Sequence, residues 1–153
     1  MENKESGELI FLRYVFPVIG YCNKLPVDAR EILEFEKMMK EGGIPSRKRL
    51  EELFPKAVMH LKSWEPEDVR DYWCIEHNKI VGDENPFCKV YGFSVVDVKE
   101  PQNGEVCRAR FGAREYHPSY IELKKGDFFT LHRSVAEKLT PEQFEKYFPE
   151  IAA

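Results

Sequence analysis

The sequence predicts an α+β fold: N-terminal helices, then a small curved antiparallel sheet or barrel, then a short C-terminal helix. Two observations point to it. Apolar residues recur with a helical period as far as about residue 77, and near Phe87 the period changes to two. The later apolar runs are separated by turn residues, as in hairpins, and do not alternate with helices as a parallel sheet requires. The 153 residues, 42% hydrophobic and 33% charged, fit one globular domain able to bury a core without metal or disulfide. No linker rich in Gly, Ser or Pro and no internal repeat interrupts them. Residues 1–153 therefore read as a single domain, or two tightly joined lobes, with a helical part over about 9–80 and a β part over about 86–153.

Residues 1 to 8 are polar, and the apolar run from 9 to 19 is interrupted by Arg13 and Pro17, which fits neither a signal peptide nor a spanning helix. From Phe11 to Cys22 no single period holds, and Pro17 and Gly20 break regular structure, so an irregular hydrophobic arm is expected. Asp28 is a good N-cap for a helix with an apolar stripe of Ile32, Phe35 and Met39, and Gly42-Gly43 stops it. Ser46 caps a second helix through Leu50, Leu53, Phe54, Val58 and Leu61, which Pro55 should kink or split. Pro66 suits the first turn of a third, with Glu67 and Asp68 at its positive end, Val69, Tyr72 and Trp73 facing inward, and an end near Asn78.

Residues 90 to 99 are rich in β-branched and aromatic types, Gln102-Asn103-Gly104 is turn chemistry, and residues 106 to 114 alternate, which predicts a hairpin. Cys107, Ala109, Phe111 and Ala113 should share its inner face, opposite Arg108, Arg110 and Arg114. Further strands are expected at about 120–123 and 127–132, around a Lys125-Gly126 turn. Thr140, Pro141 and Gln143 form a capping box for a last helix, pinned to the sheet by Leu139, Phe144 and Phe148.

The net charge of −4 argues against broad binding to nucleic acid or anionic membrane. Cys22, Cys74, Cys88 and Cys107 are widely spaced with no Cys-x-x-Cys pair, which fits reduced thiols and a cytoplasmic location. The phosphate-cradling Gly-rich loop, the dinucleotide fingerprint, His-Glu-x-x-His and Gly-x-Ser-x-Gly are all missing. No cofactor is implied. The best metal candidates are Cys74 and His77, three apart on a helix, with Cys88 eleven positions on and Cys22 or Cys107 able to complete a tetrahedral site. The plainer reading is a buried thiol and a histidine near a helix end. A nucleophilic Cys107 or Cys22 served by His132, His117 or His60 is a second option, and so is a small anion or RNA face along the arginine row; a packed thiol and a solvated strand face are the plainer alternatives. Cys22, just ahead of a helix cap, is placed where a thiol can have a lowered pKa and serve as a soft-metal ligand or partner contact, with core packing of the hydrophobic arm as the plainer alternative.

The segment Arg13-Tyr14-Val15-Phe16-Pro17 … Gly20-Tyr21-Cys22 resembles the opening of an uncharacterised family often encoded beside nickel–iron hydrogenase genes. Val69-Arg70-Asp71-Tyr72-Trp73, Cys107-Arg108-Ala109-Arg110-Phe111-Gly112 and Gly126-Asp127-Phe128-Phe129-Thr130-Leu131-His132 agree with it in order. The last piece, followed by Val135-Ala136-Glu137-Lys138-Leu139, also resembles the end of hydrogenase-assembly chaperones of the HypC type, in which a strand ending in His helps close a small barrel. Those chaperones carry an iron centre through an N-terminal Met-Cys, where this chain has Met1-Glu2, and Asn23 stands where the family has Gly. The resemblance implies a non-catalytic accessory or chaperone-like protein for a hydrogenase subunit or maturation factor, with Arg13, Tyr14, Tyr21, Cys22 and His132 as its partner- or ligand-binding residues. The alternative is a small thiol- or metal-dependent enzyme using Cys107 or Cys74 with a histidine.

Overall fold

In the computed structural model, which describes residues 5–21, 25–82, 88–100, 102, 108–111, 114–116 and 120–152, the apolar N-terminal run is a helix, α1 (Gly7–Tyr21), with Pro17 inside it. This corrects the expectation of an irregular arm. Pro17 cannot donate a bond back to the Arg13 carbonyl, which costs about 3 kcal/mol in a helix interior. Burying a large apolar side chain returns about 1.5–3 kcal/mol each, and Leu9, Ile10, Phe11, Leu12, Tyr14, Val15 and Ile19 are all buried. With apolar residues around most of its circumference, interrupted by Glu8 and Arg13, this helix has little amphipathic period to read. Ser6 caps it, its hydroxyl accepting from the Leu9 N–H at 3.1 Å.

Two compact units divide the chain, Met1–Gly82 and Asp83–Ala153. In the first, the capping chemistry read from sequence is all present. Asp28 accepts from Glu31 N–H to start α2 (Ala29–Glu41), and Gly42 ends it in the left-handed conformation at φ 84°. Ser46 caps α3 (Arg47–Leu53), and Pro55 begins a separate α4 (Pro55–His60). Arg49 of α3 reaches back to both carboxylate oxygens of Glu31 at 2.7 Å and to the Pro26 carbonyl at 2.6 Å, tying α3 to the start of α2. Helix α5 (Pro66–Asp71) runs through a π-helical turn (Tyr72–Glu76) into α6 (His77–Val81), a little beyond the expected end. Phe11, Tyr14, Phe54, Trp64, Tyr72 and Trp73 make an aromatic core around α1.

Among the described residues the second unit holds two antiparallel three-stranded sheets. The first has the order β1 (Tyr91–Ser94), β5 (Phe128–His132), β6 (Ser134–Leu139); the second has β2 (Asp97–Lys99), β3 (Arg108–Phe111), β4 (Arg114–Tyr116). The single strand expected over 90–99 is two, β1 and β2, which pair in different sheets. Val95 N–H donates to the Asp127 carbonyl at 2.9 Å, and Val96 N–H donates to that of Arg110 at 2.8 Å. Val95, Ala109, Leu123 and Phe129 form one core, with Phe93, Ile121, Leu131 and Val135 around it. Residues 120–123 are not the expected strand; Ile121 and Leu123 are drawn into that core. β6 was not foreseen as a strand, and a bulge at Ala136 shifts its register between Thr130↔Glu137 and Leu131↔Val135. Among the described residues the sheets do not close into a barrel. Asn103, Gly104, Cys107, Gly112 and Ala113 lie outside the described residues.

Thr140 completes the expected capping box with Gln143 at the start of α7 (Pro141–Tyr147), followed by α8 (Pro149–Ala152). Phe144 of α7 stacks on Phe128 at 4.4 Å, and Phe148 lies so close to Gly92 that any side chain there would meet its ring. No helix among the described residues is long and apolar enough to cross a membrane.

Candidate functional site

Arg13 and Tyr14 were expected on a contact surface, and the structure places them inside the first unit. Arg13 Nε donates to Glu5 Oε2 at 3.0 Å and Nη2 to the Met39 carbonyl at 3.4 Å, leaving the side chain 9% exposed. The guanidinium thus fastens the residues before α1 and the end of α2 to the middle of α1. Tyr14 is fully buried. Its ring stacks on Trp73, with centroids 5.6 Å apart and planes within 4°, and its hydroxyl lies 3.7 Å from Cys74 Sγ. Tyr21 ends α1; its side chain and all of Cys22 lie outside what the structure describes.

Cys74 and His77 flank the end of the π turn. His77 N–H bonds to the Tyr72 carbonyl five residues back, so the turn is wider than in an α-helix, and residues three apart lose the alignment that spacing gives there. Cys74 is buried and turned toward Tyr14, while the His77 ring rests 4.8 Å from that of Trp73 and 6.1 Å from that of Tyr72. Tyr72 is buried, and that burial, with the nearby Glu76 carboxylate, pushes its hydroxyl above the ordinary tyrosine range. Among the described residues no group of three or more His, Cys, Asp or Glu is placed to hold a metal ion. The third candidate ligand, Cys88, belongs to the second unit. It is half-buried, and Arg133 Nη2 stands 3.5 Å from its sulfur.

In the second unit His132 is only 3% exposed. Cross-strand partners share a sheet face, and so do residues two apart on a strand. Thr130, His132 and Glu137 therefore lie on one face with Phe128 and Leu139, the face that Phe144 and Phe148 cover, while Phe129 and Leu131 point to the inter-sheet core. All three polar residues are buried. The Thr130 hydroxyl accepts from the Glu137 N–H at 3.3 Å and donates to the Glu137 carbonyl at 3.4 Å, satisfying the backbone where the bulge opens the ladder. Arg133 turns the β5–β6 hairpin at φ 67°, an uncommon conformation for a residue other than glycine. Glu137 and Thr130 escaped the sequence reading because alternation assigns Phe128, Thr130 and His132 to one face without saying whether water or a helix covers it. The capping box at Thr140, which fixes where α7 starts, was the available signal.

Of the expected arginine row, Arg110 is in a cross-strand pair: its Nε and Nη2 donate to the two carboxylate oxygens of Asp97 at 3.1 and 2.7 Å. That hydrogen bonding holds the Asp97 carboxyl below the usual carboxylate range. Comparison with protein-family models, with curated proteins and with solved structures finds no match to this chain.

Proposed function

We propose that the chain is a non-catalytic accessory or chaperone-like protein of the cytoplasm that acts by binding a protein partner, a hydrogenase subunit or maturation factor. What supports the reading is the use the fold makes of its reactive side chains. Arg13 bonds within the first unit, Cys74 is enclosed against Tyr14, and His132 and Glu137 are enclosed in the second unit. Groups enclosed in this way hold elements together and are poorly placed to meet a substrate or a partner, so of the residues the resemblance implies for partner contact this reading keeps Tyr21 and Cys22. Large apolar side chains meanwhile point outward in each unit: Leu33, Ile44, Met59 and Ile80 in the first, Val96, Val98 and Ile151 in the second. Burial of these side chains against a partner would contribute to association. The choice of partner class rests on the sequence resemblance.

The test is calorimetric titration of the purified chain with a purified nickel–iron hydrogenase large-subunit precursor, alongside metal analysis and thiol labelling across pH. Saturable binding is expected, and Cys22→Ala should weaken it while leaving the melting temperature nearly unchanged. Failure to bind, together with stoichiometric metal or a thiol that reacts rapidly below neutral pH, would instead support a thiol- or metal-dependent enzyme.

A further inference from the structure

No further inference is drawn: the strongest candidate, the cluster of Thr130, His132 and Glu137 buried on the α7-covered face of the β1-β5-β6 sheet, carries nothing because nothing in the structure shows what ligand or partner would reach it.

Discussion

Tyr14 joins two kinds of contact, a ring stacked on Trp73 and a hydroxyl facing the Cys74 thiol. They differ in size. A hydrogen bond to sulfur is a weak one, so Tyr14→Phe should lose less than about 1 kcal/mol of stability. Tyr14→Ala empties a fully enclosed site and should lose about 3–5 kcal/mol, as large aromatic truncations do. Urea unfolding of the two variants measures both; equal losses would mean that the hydroxyl, and not the ring, anchors the contact. Asp97 permits a prediction in pH. Its folded carboxyl is depressed by Arg110, so the pair's contribution is present above the unfolded value of about 3.9 and fades as pH falls through the lower folded value. The pair is solvent-exposed and screened by salt, so the effect on unfolding is small. The direct readout is the Asp97 side-chain titration by NMR, expected below the ordinary aspartate range and returned toward it by Arg110→Gln. A titration that ignores the substitution would remove Arg110 as the cause.

For the elements, capping decides more than propensity. The Thr140 hydroxyl accepts from Gln143 N–H at 3.1 Å while the Gln143 side chain accepts from Thr140 N–H at 2.9 Å, and the helix so fixed carries Phe144 onto Phe128. Thr140→Ala should cost about 1 kcal/mol, read as a lower denaturation midpoint with the slope unchanged. A change in slope would mean that α7 detaches separately. Capping was also the most legible part of the sequence: Asp28, Ser46, Thr140, Gly42 and the helix-starting prolines Pro55, Pro66 and Pro141 all mark helix ends where expected. Such signals are local, fixed by a side chain and the backbone three residues away. What could not be read depends on distant partners. Pro17 sits inside α1 because surrounding elements enclose that helix; residues 90 to 99 become two strands because the partner changes from Asp127 to Arg110 between Val95 and Val96. The same holds for the candidate residues. The types Arg13, Tyr14, Cys74 and His132 stand out in the sequence, but their burial follows from packing that no spacing records.

Across the whole chain, each unit contains a core of its own: the aromatic ring cluster about α1 in the first, and the apolar cluster centred on Val95, Ala109, Leu123 and Phe129 in the second. A chain built this way can unfold in more than one step. The sequence supplies a selective probe. Both tryptophans, Trp64 and Trp73, lie in the first unit and contact Phe11, so tryptophan fluorescence reports on that core. The second unit can be perturbed at Gly92, where an added methyl would meet the Phe148 ring and overpacking should cost about 1–3 kcal/mol. Gly92→Ala is therefore expected to lower the midpoint for amide exchange of the β1, β5 and β6 strands in increasing denaturant. The fluorescence midpoint should move little. If fluorescence and exchange shift together by the same amount, the two units unfold as one cooperative block.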